Sequence, residues 1–421
     1  MGFPVRWAVR TSTRTGRTAD DELWQRVVRE LADDLAVDAL TRDRAGKPPY
    51  DEVARLKEAG LPGLLVPPGS GERGADLRSA CSVLGELAAA DSSVAELLAR
   101  HYALTWSGRL FGTPADAERF ERRTAAGGHL LAGGVDLPET APGPPLTLRT
   151  TGGGRVLSGC RTLEAGATVA DCLVVDASPA PGGDPLVVLV DPAHPGVCVS
   201  PAPERLGQRL TGAGSIVFDA VPVTDEDVVG AVPRDERALA PLTALTPLIL
   251  RLLLSHVALG TAEGALAEAR DISRAARAAD PREGGRLFDG TDGRPATDPY
   301  LLLAYGESAT EAHAAASVVE RATAALTDGL AAGRELTADE SADIAALVGA
   351  AEAVTARSAV HITTRVLGLF PGTGPSVADP GLDRFWRNAR VLTAHHSAAH
   401  SLRDIGDHYL NGSLPRLAGH R

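Results

Sequence analysis

The chain has 421 residues, 44% of them hydrophobic, and a formal net charge of -12 at pH 7. That length supports two or three domains with cores of their own, and the acidic balance argues against a general nucleic-acid binder, which carries a basic footprint. Cys81, Cys160, Cys172 and Cys198 stand at no metal-ligand spacing, so the expectation is reduced thiols in the cytoplasm and no metal.

Residues 1–19 carry Arg6, Arg10, Arg14 and Arg17 and no acid. A transit peptide has this look, but a flexible or partner-wrapping arm is the simpler reading. Residues 20–128 read as a helical domain. Leu23, Val27, Val28, Leu31 and Leu35 recur at helical spacing after Asp21. A Gly/Pro-rich loop follows at Gly60–Gly74, and a single helix is expected over Leu77–Leu98.

The period changes over residues 129–235. Short β-rich runs such as "DCLVVDA", "PLVVLVD" and "GSIVFDAVPV" are split by Gly, Pro and Asp, the pattern of an antiparallel barrel or sandwich. Gly152–Gly154 marks a hairpin turn.

Residues 236–421 read as helices only, over 237–278, 298–332, 337–369 and 380–410, which suggests a four-helix bundle. Thr337 and Glu340 form a capping box at the start of the third helix, and Gly412 is placed to end the fourth. The apolar run Leu239–Leu259 is interrupted by Pro241, Pro247, Arg251 and His256. It reads as a buried helix, and no membrane span is expected.

The stretch "DRFWRNARVLTAHHSAAHSLRDIGDHYLNG" (Asp383–Gly412) is the densest in groups that move protons or hold anions. On one continuous helix, His396, His400, Asp404 and His408 fall on one stripe. Such a helix offers only two adjacent ligands, and the sequence identifies no third, so a polar interface stripe is preferred to a metal site. Asp383 and Arg387 read as a structural pair.

The order of zones and several motifs resemble the acyl-CoA dehydrogenase superfamily along nearly the whole chain. "LGELAAADSSVAELLARH" resembles its N-terminal helical domain, and "GGRVLSGCRTLEAGATVADCLVV" its middle strand pair. "DPYLLLAYGE", "DRFWRNAR" and "DIGDHYLNG" look like the flavin-dependent monooxygenases typified by dibenzothiophene monooxygenase. The implied fold is mainly α with a β middle domain: an N-terminal helical domain, a central antiparallel barrel or sandwich, and a C-terminal four-helix bundle.

The resemblance also implies chemistry. A dehydrogenase needs a carboxylate base, and its two family positions fall on His396 and near Leu250. Oxygen chemistry is therefore favoured: reduced flavin and O2 form a C4a-hydroperoxide whose distal oxygen passes to nitrogen, sulfur or activated carbon of a small molecule. The implied catalytic histidines are His395 and His101, because a relay needs a pKa near neutrality. Arg274, Val135, Ala165 and Arg390 fall at cofactor positions, and His396, Tyr305 and Trp106 at the substrate pocket. The implied cofactor is reduced FMN from a transient flavin reductase partner, with FAD possible, in a homotetramer of plausible secondary metabolism.

Val135 and Ala165 depart from the family's polar Asn and Ser, Leu392 replaces a second His, and "PGTGPSVADPG" lacks an Arg. Either flavin is held differently or the scaffold has moved to another reaction. A dehydrogenase or oxidase, and a flavin-free enzyme or scaffold, remain the alternatives.

Overall fold

The computed structural model describes residues 19–66, 75–125, 128–137, 145–152, 154–180, 183–235, 238–279, 298–370, 381–394 and 398–412. The expected N-terminal arm and most of the Gly-rich turns at 60–74 and 371–381 lie outside them.

Seven helices come first: α1 (Ala19–Val37), α2 (Ala39–Ala45), α3 (Tyr50–Glu58), α4 (Leu77–Ala90), α5 (Ser92–Leu104), α6 (Ser107–Phe111) and α7 (Pro114–Ala125). The aliphatic stripe of α1 turns Val28, Ala32 and Leu35 into the core, while Leu23 stays outside. The single helix expected at Leu77–Leu98 is two. Asp91 adopts an extended backbone, and its carboxylate accepts the amides of Ser93 (3.1 Å) and Val94 (3.3 Å) to start α5 afresh. Arg42 holds this corner, donating to Asp91 at 3.0 Å and pairing with Glu52 at 3.2 Å.

Eight strands follow: β1 (Leu131–Gly134), β2 (Thr147–Thr151), β3 (Gly154–Leu163), β4 (Cys172–Ala180), β5 (Leu186–Val190), β6 (Val197–Pro201), β7 (Gly214–Val223) and β8 (Val228–Ala231). Their order is β6-β7-β3-β2-β4-β5-β8, with β1 also on β4. The sheet is mixed rather than antiparallel, because β1 and β2 both run parallel to β4. The loop after β3 crosses over before β4 begins, and run-and-turn spacing does not reveal that crossover.

The C-terminal helices are α8 (Pro241–Ala244), α9 (Thr246–Ala279), α10 (Pro299–Ala332), α11 (Ala338–Leu369), α12 (Asp383–Leu392) and α13 (Ala398–Asn411). The capping box at Thr337 and Glu340 is formed. By length and composition the segment Pro241–Ala275 could cross a membrane, but its Leu248, Ile249, Leu252, Leu253 and Val257 share one core with α4, α5, α10 and α11. The crossing with α4 is close: a Cβ on Gly264 would lie 2.2 Å from the Ala89 carbonyl oxygen, and one on Gly260 2.5 Å from that of Gly85.

The expected fourth bundle helix is interrupted. α12 ends at Leu392 and α13 starts at Ala398. Positions 400, 404 and 408 of the expected stripe share α13, and position 396 lies outside the described residues. His408 contacts Asp343 at 3.3 Å.

Candidate active site

The short strand β1 is tied down along its length. At its start, Leu130 donates its amide to Asp171 at 2.7 Å, and Lys57 bridges to the same carboxylate at 2.7 Å. Next, the Leu131 amide donates to Nδ1 of His101 at 2.9 Å. Gly133 has φ +133°, and a Cβ there would lie 2.0 Å from the Val174 carbonyl oxygen, so only glycine lets β1 pair this closely with β4.

At the end of β1 the segment Gly134–Asp136 meets Arg161 on β3. Arg161 Nη1 donates to the Gly134 carbonyl and to Asp176, both at 2.7 Å, and Nη2 donates to Asp136 at 2.6 Å. Asp176 also accepts the Asp136 amide at 3.0 Å. Burial raises the Asp136 carboxyl above its ordinary value, Arg161 opposes the rise, and Asp176 adds to it.

The loop after β3 lies against β1. Ala165 packs with Val53, Leu97, Leu130 and Val169. Gly166, with φ +80°, comes so close that a Cβ would lie 2.5 Å from that of Ala132. Arg205 holds the loop through the Glu164 carboxylate at 2.7 Å and its carbonyl at 2.8 Å. Ala132 and Gly134 share one face of β1. Among the described residues, nothing lies within 4 Å of a Cβ built on Gly134. Backbone and small side chains thus make up a wall.

The sequence-predicted residues divide around this wall. Ala165 belongs to it, but the Val135 side chain packs into a different cluster with Leu104, Phe120, Leu131 and Val229. His101 is behind the wall and 1% exposed. Its Nε2 is 2.8 Å from the Pro62 carbonyl. Because Nδ1 accepts an amide, Nε2 carries the proton and donates it, so both ring nitrogens are engaged by the backbone. Burial pushes its pKa down to about 4.

Trp106 packs against the helical core, with the Arg109 guanidinium 5.1 Å from its ring centroid. Its enclosed Nε1 finds no hydrogen-bond partner among the described residues. Tyr305 belongs to the α9–α10 contact, its hydroxyl 2.9 Å from that of Ser273, and Arg274, next to Ser273 in the chain, is exposed. Arg390 is exposed on α12. His395 and His396 lie outside the described residues.

The helix leading to those histidines is held at several points. Arg384 forms a two-bond pair with Glu268, at 2.5 and 3.1 Å. Arg387 binds Asp43 at 2.5 Å and Asp383 at 2.8 Å, as a structural pair does. The Gln208 amide donates to Asn388 at 2.7 Å, and the Gln208 side chain reaches Ser92 and Ser93. Gln208 is fully buried at φ +53°, a left-handed conformation uncommon for a non-glycine residue and maintained by this set of partners. Sequence reading missed Arg161, Asp176 and Gln208. Arg161 lay within the quoted strand motif, but no local pattern names its partners.

Comparison with known proteins places the chain. The acyl-CoA dehydrogenase N-terminal domain profile matches residues 18–128, and the C-terminal domain profile residues 252–400. A probable FMNH2-dependent monooxygenase, SfnC, of Pseudomonas putida is 30% identical over 92% of this chain and 95% of its own length. Dibenzothiophene monooxygenase of Rhodococcus erythropolis is 30% identical over 92% and 93%. The structure of TdsC from Paenibacillus sp. A11-2 with FMN and indole superposes with a TM-score of 0.83 at 26% identity, covering 94% of this chain and all of that one. With an α–β–α architecture of the expected order and this match across both terminal domains, the chain belongs to the acyl-CoA dehydrogenase superfamily, in its branch of flavin-dependent monooxygenases.

Proposed function

We propose that the protein is a two-component monooxygenase that takes reduced FMN from a separate reductase and uses O2 to oxygenate a soft heteroatom of a small molecule. The observation that carries this reading is the backbone wall formed by Gly133, Gly134, Ala165 and Gly166, combined with the lack of a carboxylate at positions 250 and 396. Sulfur is the foremost candidate atom, by similarity to relatives named for dibenzothiophene oxidation; nitrogen and activated carbon are the others.

The residues fit FMN in a particular manner. Among the described residues nothing lies within 4 Å of a Cβ on Gly134, which lets a flat ring approach the backbone, and the Ala165 methyl offers apolar contact without a hydrogen bond. Arg274 and Arg390 are exposed and are the cations assigned here to a phosphate or an anionic substrate group. Arg274 performs this role for a neighbouring subunit in the proposed homotetramer. Reduced FMN held there would supply two electrons and the substrate heteroatom the other two, so that one atom of O2 enters the substrate and the other leaves as water.

The chain's own groups exclude water and move protons. Leu97, Leu130 and Val169 keep the wall dry. His395 is the proton-transfer residue, passing a proton to the departing oxygen and recovering it from solvent. His101 stays neutral behind the wall and supports β1. By family likeness, Tyr305, Trp106 and His396 are the proposed substrate contacts. The protein acts in the cytoplasm.

The test supplies FMN, a flavin reductase, NADH and a thioether under 18O2. Incorporation of one labelled atom into a sulfoxide is expected. Absence of reduced-FMN binding, or flavin bleaching by an acyl-CoA without oxygen, would overturn the reading.

A further inference from the structure

We propose that Arg161 is a positioning residue, which fixes the Gly134–Asp136 backbone as the surface that receives the flavin and so replaces the side-chain anchors absent at positions 135 and 165. The inference rests on the flavin reading above.

Arg161 is a single guanidinium serving three acceptors: the Gly134 carbonyl, Asp176 and Asp136. These come from the exit of β1, from β4, and from the segment that follows β1. Asp176 completes the joint by accepting the Asp136 amide. The guanidinium is 13% exposed, and Asp136 and Asp176 are 26% and 10% exposed. Two carboxylates around one cation are a costly way to gain stability in a partly buried site, since desolvation opposes the attraction. The arrangement is an economical way to hold a backbone direction, because the planar fork fixes several acceptors at once.

That direction matters at Gly134. The partly buried side chain of Val135 packs against the cluster that contains Leu131 and Phe120, which leaves the peptide between Gly134 and Val135 as the surface proposed to meet the flavin. Release of the Gly134 carbonyl would let this peptide rotate, since glycine has few steric limits. Ala165 supplies no polar atom to compensate.

Three variants test the proposal. In Arg161→Ala without flavin, hydrogen exchange at the Asp136 amide should rise at least tenfold, with β5 and β7 unchanged. Its anaerobic dissociation constant for reduced FMN should rise at least tenfold. Arg161→Lys, which keeps the charge but not the fork, should recover part of this affinity and remains available if Arg161→Ala does not fold. Arg123→Ala removes an ion pair to Asp227 and should leave FMN affinity unchanged. Wild-type exchange and affinity in Arg161→Ala, or in Arg161→Lys where that variant alone folds, would overturn the proposal and leave the flavin reading intact. Equal loss of affinity in Arg123→Ala would also overturn it. A wild-type protein binding FMN in neither redox state would overturn both.

Discussion

The Leu131 amide donates to Nδ1 of His101 across 2.9 Å, which commits the imidazole to a neutral form with its proton on Nε2. That proton points to the Pro62 carbonyl at 2.8 Å. The ring thereby connects the loop after α3, helix α5 and strand β1. A charged imidazolium would break the Leu131 bond, because protonated Nδ1 accepts nothing.

This bond sets a pH dependence. Burial lowers the His101 pKa from 6.5 to about 4. At neutral pH both folded and unfolded chains hold a neutral imidazole there. As pH falls below 6.5 the unfolded chain binds the proton first, so stability declines until about pH 4, by on the order of 3 kcal/mol. His256, also lowered to about 4 by burial, adds a similar slope. Urea midpoints for wild type and His101→Gln at pH 7.5 and 5 should show a shallower decline in the variant. Equal declines would mean that His101 titrates normally.

His395 is expected to be the essential histidine, ahead of His396 and His400. The family likeness supplies this assignment; the angular argument from a continuous helix does not apply, because α12 stops at Leu392. Loss of a proton relay costs roughly 10²–10⁴-fold in turnover. His395→Ala should show that loss while keeping its fold and assembly. Full turnover in His395→Ala, with loss in His396→Ala, would move the role one residue on.

Reduced FMN should bind more tightly than oxidised FMN, and the protein should purify colourless. Ala165 offers only a methyl group in a site 4% exposed. Ala165→Ser adds a hydroxyl at small steric cost and should tighten oxidised FMN severalfold in an absorbance titration. Val135→Asn would instead set an amide against the apolar cluster of Leu104, Phe120 and Leu131, lowering the melting temperature. Unchanged flavin affinity in Ala165→Ser would place the ring elsewhere.

Assembly should follow the uncovered apolar groups of the bundle. Tyr300, Leu302 and Leu303 are exposed on α10, and Leu402, Tyr409 and Leu410 on α13, and contacts between copies are expected at such groups. Light scattering should give four times the 43.5 kDa of one chain. Leu303→Asp with Leu410→Asp should yield a smaller species. A wild-type monomer at micromolar concentration would refute the tetramer.

Two helical glycines should respond in opposite directions to alanine. Gly264 faces the Ala89 backbone, where a Cβ would meet the carbonyl oxygen at 2.2 Å. Gly264→Ala must push α4 from α9 and should cost about 1–3 kcal/mol. Among the described residues nothing lies within 4 Å of a Cβ on Gly306, so Gly306→Ala should stabilise by up to about 1 kcal/mol through helix propensity. Denaturant melts of the two variants check both signs.

What the sequence by itself determined was local or periodic. The capping box at Thr337 and Glu340 is formed within four residues, and the change from helical runs to β-rich runs and back sets the order of the zones. The absence of a carboxylate at positions 250 and 396 could be read directly from the chain. Tertiary structure decided what depends on distant partners. Asp91 ends one helix and starts another because Arg42, far back in the chain, stabilises its carboxylate at the corner. β1 and β2 lie parallel to β4 because of a crossover that alternation does not encode. Arg161 finds Asp136, Gly134 and Asp176 only when β1, β3 and β4 are assembled in one sheet, and both ring nitrogens of His101 become engaged only when β1 folds over α5. A side chain's chemistry is written in its type, but whether that chemistry is free or already committed depends on which backbone groups the fold brings within hydrogen-bond reach.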